Sequence, residues 1–150
     1  IAWLHLPSRL TSLAREMKWL SDLHNPPLLQ GTLAMFLEQG WYDLHLRRMR
    51  SLYRKKRDLA VSILSESGLW RVEGDSAGIH LMVRRMAGEA DGPWLDHCHA
   101  TGVRVYPLKL HRRTAKGYGN AFILGFGHLG LVEIERGCHL LNSLGQAGIP

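Results

Sequence analysis

Cysteine is nearly absent from this 150-residue chain: Cys98 and Cys138 are the only two, far apart and in no CxxC pattern. That excludes a disulfide framework and suits a reducing cytosol. No apolar run approaches the roughly 18 residues that a membrane span requires, so no membrane partner is expected. The opening Ile1-Ala2-Trp3-Leu4-His5-Leu6-Pro7 is too short and too uncharged at its front for a signal peptide. It has neither an initiating Met nor a cap, and reads as the interior of a longer protein whose N-terminal part is missing. Internal repeats, low-complexity stretches and linkers are also absent. Acidic residues are the minority, 13 against 19 Lys and Arg, which leaves a net charge of +6 and a pI near 9.7. A basic balance permits nucleic acid, anionic membrane or acidic protein as partners and proves none of them. What is present is ordinary: 45% hydrophobic and 21% charged residues, a globular composition with enough chain for one real core.

The pattern along the chain changes once. Ile1–Leu6 reads as a short strand stopped by Pro7. Ser8 is a suitable N-cap for a helix from Arg9 to about His24, with Leu10, Leu13, Met17 and Leu20 at helical spacing. Asn25-Pro26-Pro27 breaks it, and a second helix runs from about Leu28 to Gln39, stopped by Gly40. A long helix from about Tyr42 to Ser67 follows and ends at Gly68. Beyond it the expected strands are Trp70–Glu73, Ile79–Val83, Val103–Pro107 and Ala121–Phe126. Gly74–Gly78 is a turn, Leu108–Asn120 a polar basic loop, and helices are expected over Glu89–Ala100 and Leu129–Leu144. Helices first, then strands mixed with helices, argue for one α+β domain: a small mixed or antiparallel sheet covered by helices on one side.

Charge is concentrated in the segment Gly40–Asp58, GWYDLHLRRMRSLYRKKRD, where seven Lys or Arg residues face two Asp. Two functions compete for it. A stand-alone basic module binding nucleic acid or protein would use it to contact phosphates. The other possibility is a long amphipathic helix with a solvated basic back. At about 100° per residue, Leu46, Met49, Leu52, Tyr53, Leu59, Ala60, Ile63 and Leu64 share one face. Arg47, Arg48, Arg50, Arg54, Lys55 and Arg57 share the other. Lys56 alone falls inside the apolar face, and its stem is long enough to carry the charge out. The basic side lacks interleaved aromatics for base stacking, so the amphipathic helix is preferred.

Other motifs carry less chemistry. Gly125-Phe126-Gly127-His128-Leu129-Gly130 matches GxGxxG between a strand and a helix, yet no second strand or ribose-binding acid follows it. A glycine-rich strand-to-helix turn accounts for it. His97-Cys98-His99 has i, i+2 spacing, which on a helix points side chains to different faces, so no metal site is expected. No nucleophile elbow is visible. Asp75, Glu89 and Asp91 suit turn or capping roles. His80 is a polar residue in an apolar strand, on the face shared with Met82. It is either a satisfied sheet histidine or a group at a cleft edge.

Taken in order, the residues resemble a known family. Gln30, Gly40, His45-Leu46-Arg47-Arg48-Met49-Arg50, Tyr53, Asp58, Gly78-Ile79-His80, Gly102-Val103, Pro107 and Leu124-Gly125-Phe126 match its recurring phrases. The chain resembles the C-terminal small domain of fold-type-I aminotransferases that use pyridoxal phosphate (PLP). It is most similar to the aminotransferase-like domain of MocR-type transcription regulators of the GntR superfamily. The resemblance covers essentially the whole chain.

The resemblance implies that 1–150 is a single small domain of a longer cytoplasmic protein. It implies that the large PLP-binding domain of the same protein is its partner, that the parent is a homodimer, and that DNA is bound only through a missing N-terminal winged helix. PLP would belong to the parent, held through a lysine upstream of Ile1, and would not bind this part stably. No catalytic or cofactor-binding residue is therefore expected here, and whether the parent transaminates or only senses an effector is left open. The family often places an arginine on the last strand for the substrate carboxylate, where a bidentate fork suits it. Ile123 occupies that place. His80 is expected near the substrate, with Arg112 or Arg113 as possible substitutes for the missing arginine.

Overall fold

A computed structural model describes residues 2, 4–73, 78–88, 90, 92–111 and 119–146. These form two compact units, residues 1–48 and 49–150.

The first unit contains α1 (Ser8–Asp22), α2 (Pro27–Glu38) and the start of α3 (Trp41–Glu66). Pro7, not Ser8, occupies the N-cap of α1, with φ −55° and ψ 143°, and no side chain caps the helix. Proline's fixed φ already suits entry into a helix, so Ser8 becomes the first helical residue. The described residues of the expected opening strand, 2 and 4–6, are not in a strand, having no neighbour among the described residues to pair with. Pro27 opens α2 at the position where a missing N–H costs nothing. Lys18 Nζ ties the end of α1 together, donating to Asp22 Oδ1 (2.6 Å) and Asn25 Oδ1 (2.8 Å). Phe36 packs edge-on against Trp41 and Tyr42, with centroids 6.3 and 6.2 Å apart. Neither α1 nor α2 buries a single residue: Leu13, Met17, Trp19, Leu20, Leu28 and Met35 are all more than half exposed.

The second unit is built on a four-stranded antiparallel sheet of order β1-β2-β4-β3. The strands are β1 (Trp70–Glu73), β2 (His80–Arg85), β3 (Tyr106–Pro107) and β4 (Ala121–Gly125). Helices α4 (Gly92–Ala100) and α5 (Leu131–Gln146) accompany them, and a 3₁₀ turn spans Leu108–His111. Alternation puts Leu81 and Val83 into the core and His80, Met82 and Arg84 on the opposite face. The core joins Leu81, Val83 and Phe122 to Ala60, Ile63 and Leu64 of α3, Trp94 and Cys98 of α4, and Ile134, Cys138 and Leu141 of α5. This is the α+β arrangement expected, with helices on one face.

Three rings dominate that core. Phe122 lies 5.7 Å from Trp70 and 5.4 Å from Trp94, and the two indoles are 6.0 Å apart. The Trp70 indole N–H donates to Asn142 Oδ1 (2.8 Å), and Asn142 Nδ2 donates to the Ile63 carbonyl (2.9 Å). Gly145 leaves room for Trp70: a Cβ there would meet Trp70 Cζ2 at 2.6 Å. The end of α4 is closed by Gly102 at φ +92°, with Val103 N–H donating to Cys98 O and Gly102 N–H to His99 O. That bond pair is the Schellman arrangement, which needs a left-handed residue at this position.

Other expectations are corrected. Leu46, Met49 and Leu52 do not reach the core: the first two are half-buried and Leu52 is exposed. Packing of α3 begins at Tyr53 and is tightest at Ala60, Ile63 and Leu64. Lys56 does not carry its charge out to water. It is 7% exposed, donates from Nζ to the Gly127 carbonyl (3.0 Å), and sits 5.5 Å from the Tyr53 ring centroid. The reason is geometric, because the glycine-rich turn after β4 offers a carbonyl closer than solvent. Strand β3 has two residues rather than five. Val103 and Val105 are buried in the core instead of pairing with β4. Helix α4 starts at Gly92; residues 89 and 91, like the expected turn at 74–77, lie outside the described residues.

Truncating Leu64, fully buried, should cost about 2–5 kcal/mol, whereas Leu52→Ala should stay within about 0.5 kcal/mol. Gly145→Ala should cost about 1–3 kcal/mol by forcing Trp70 to move. Urea unfolding midpoints of the three variants measure these values.

Candidate functional site

Of the expected site residues, His80 falls on the side of the sheet away from the core. Pairing sets His80 opposite Gly125, Met82 opposite Ile123, and Ile123 opposite Tyr106. His80 is exposed at the first position of β2, its ring packed so closely on Gly125 that a Cβ there would meet Cδ2 at 3.3 Å. Ile123, at the place where the resemblance calls for an arginine, is half-buried between Met82 and Tyr106. The centre of the face is therefore apolar. Arg112 and Arg113 lie outside the described residues.

The cationic fork on this face is Arg84, which the sequence reading had passed over. Its Nε donates to Glu73 Oε1 (2.8 Å) and its Nη2 to Glu73 Oε2 (3.2 Å), a bidentate pair. Nη1 donates to Asn120 Oδ1 (2.8 Å), and Asn120 Nδ2 donates back to the Arg85 carbonyl (2.9 Å). The Arg84 hydrogen bond holds the Glu73 carboxyl below its ordinary value; burial works in the opposite direction, and the charges of Arg84 and Arg71 add to the lowering. Arg84 is thus committed to Glu73. The period-2 alternation His80, Met82, Arg84 was the signal that could have placed it here.

The lysines of the described residues are held elsewhere. Lys18 is tied to Asp22 and Asn25, Lys55 and Lys109 are exposed, and Lys56 bonds Gly127.

Two cysteines and two histidines complete the chemistry. Cys98 and Cys138 face the core, and burial pushes each thiol up to about 11, so both are protonated and unreactive at neutral pH. His97 and His99 are exposed while Cys98 between them is buried, as i, i+2 spacing on a helix dictates. On α3, Arg47, Arg48, Arg50, Arg54 and Lys55 are exposed, and Arg57 Nη1 donates to Asp58 (2.8 Å).

Beside His80 the sheet opens into a cavity of about 1160 Å³. It lies where β3 and β4 stop pairing: Val103 and Arg104 line one side, Leu124 to Leu129 the other.

This fold is that of aminotransferases. The chain superposes on the multiple substrate aminotransferase of Thermococcus profundus with a TM-score of 0.80, at 19% identity, over 91% of this chain and 34% of that one. LysN, the α-aminoadipate aminotransferase of Thermus thermophilus solved with N-(5'-phosphopyridoxyl)-L-leucine, gives 0.78 at 22% identity, over 95% of this chain and 36% of that one. In sequence the chain resembles a part of helix-turn-helix transcriptional regulators of MocR type. It is 28% identical over 148 residues to the uncharacterized regulator YdeL of Bacillus subtilis, covering 95% of this chain and 31% of that protein. It is 26% identical over 138 residues to the regulator TauR of Rhodobacter capsulatus, covering 91% and 28%. The probable rhizopine catabolism regulatory protein MocR of Rhizobium meliloti is 28% identical over 126 residues, covering 80% and 25%. The chain thus spans about a third or less of the length of these relatives, and no protein-family model matches it. Among the described residues no helix is long and apolar enough to cross a membrane.

The Glu73 pair sets a pH dependence. A carboxyl lowered in the folded state contributes stability that is present above its ordinary value of 4.5 and is lost as pH falls through the lower folded value. Glu73→Gln should therefore lower the urea midpoint at pH 7 and change it little at pH 2. A difference between variant and parent that is equal at both pH values would contradict this coupling.

Proposed function

We propose that this chain serves as the small domain of a PLP-dependent, aminotransferase-like regulator of MocR type. The observation that carries it is double. The same stretch matches regulators over 95% of its length in sequence and aminotransferases with a TM-score of 0.80 in fold. In this reading the cofactor and the DNA are bound by other parts of a homodimeric cytoplasmic parent. The role of 1–150 is to complete the wall of the ligand site and to transmit its occupancy. His80 is the substrate-proximal group, standing at the edge of the sheet's open face. With Ile123 at its centre, Arg84 engaged by Glu73, and Arg71 out on the edge strand β1 with Nε 3.9 Å from Glu73 Oε1, that face places no guanidinium of the described residues at its centre for an α-carboxylate. Sensing an effector fits this better than turning over amino acids.

The exposed apolar faces of α1 and α2 support the same reading. A surface this apolar, without one buried residue beneath it, is a contact surface rather than a solvated one. The large PLP-binding domain of the parent is the partner it fits.

The test uses the whole reading frame that encodes this chain. Incubated with PLP, reduced with borohydride and weighed, the whole protein should carry one pyridoxyl group per subunit on a lysine outside 1–150, and should elute as a dimer. The 150-residue chain treated alike should carry none. A stoichiometric pyridoxyl group on Lys18, Lys55, Lys56 or Lys109 would overturn the assignment.

A further inference from the structure

Lys56 is a charge taken out of water without a counter-charge. Its ammonium has one carbonyl, Gly127 O at 3.0 Å, and the face of Tyr53, and no carboxylate of the described residues lies within ion-pair distance. Buried lysines are normally paired, because an uncompensated cation in the interior is costly. Both of its partners, Tyr53 and Gly127, line the cavity of about 1160 Å³ beside β4. Ile79, Leu124 and Leu129 form apolar parts of the wall, and His80, His128 and Thr101 add polar groups. Arg104 and Arg136 stand at the exposed rim. Arg104 Nη2 lies 2.7 Å from His99 Nε2, which supplies no negative charge when neutral. The single acid of the lining, Glu133, is already used: its Oε2 accepts from Gly130 N–H at 2.6 Å, closing the first turn of α5.

We propose that this cavity binds a small organic anion with an apolar body, its carboxylate drawn to the Arg104–Arg136 rim and bringing negative charge to the side of the cavity lined by Tyr53 and Gly127, the two groups that hold Lys56. Size, lining and charge agree. The volume of about 1160 Å³ is just above the usual range of small-molecule sites, much of the wall is apolar, and two arginines stand against the one carboxylate, Glu133, which is already engaged. The cavity adjoins the open sheet face at His80, which lines it, but not at the centre of that face, since neither Met82 nor Ile123 lines it. It gives the protein a second ligand input that needs no cofactor.

The experiment titrates the isotope-labelled chain with octanoate and, separately, with octylamine, which has the same apolar body and the opposite charge. Octanoate should shift the amides of Val103, Gly125 and Gly127 saturably, and octylamine should not. Arg104→Gln with Arg136→Gln should weaken octanoate about tenfold or more, the loss expected for charge-assisted hydrogen bonds. Lys56→Met should weaken it as well; the double variant at the surface keeps the test valid if Lys56→Met does not fold. Equal shifts from both amphiphiles, shifts confined to α1 and α2, or affinity unchanged in the double variant would each overturn the proposal. So would a longer form of the protein in which these amides are already protected and octanoate has no effect. No step uses PLP, so failure here is separable from failure of the regulator assignment.

Discussion

The contact on which this molecule depends is that of Phe122 with Trp70 and Trp94. Phe122 is the second residue of β4, between β2 and β3, and its ring is fully buried. It draws α4 to the sheet through Trp94 and leaves β1 attached through Trp70. Large aromatic side chains bury the most apolar area per residue, so a four-stranded sheet this small can hold its helices with three of them. The consequence is one-sidedness. Leu81, Val83, Phe122 and Leu124 face the core, and what β2 and β4 leave for the other face includes His80, Met82, Arg84 and Ile123.

That one-sided sheet was legible in the sequence. The alternation of Ile79 to Val83 and the spacing of Leu59, Ala60, Ile63 and Leu64 report a buried face directly, because period 2 and period 3.6 are imposed by the backbone. Less legible were features that depend on who sits opposite. Val103 to Pro107 alternates like a strand, yet Val103 and Val105 are better buried in the core than laid beside β4. Leu10, Leu13, Met17 and Leu20 form a proper apolar stripe with nothing in the described chain to bury it. Periodicity tells that a face wants covering, not what covers it.

His80 was singled out because a polar residue in an apolar strand is conspicuous. Arg84 and Glu73 were missed because their partnership runs across two strands, and sequence separation hides register. Lys56 was misread for a related reason. A lysine on an apolar helix face normally reaches past its neighbours to water. Here a glycine-rich turn, brought close by β4, puts a carbonyl in its path.

Asn142 has a consequence for how this chain can drift in sequence. One amide satisfies the indole of Trp70 on β1 and the last-turn carbonyl of Ile63 on α3, while its own backbone belongs to α5. Asp keeps only the acceptor and Leu keeps neither, so each leaves a buried polar group stranded. Asn142 and Trp70 are thereby tied into a single heritable unit, and an escape from either residue requires both to change together.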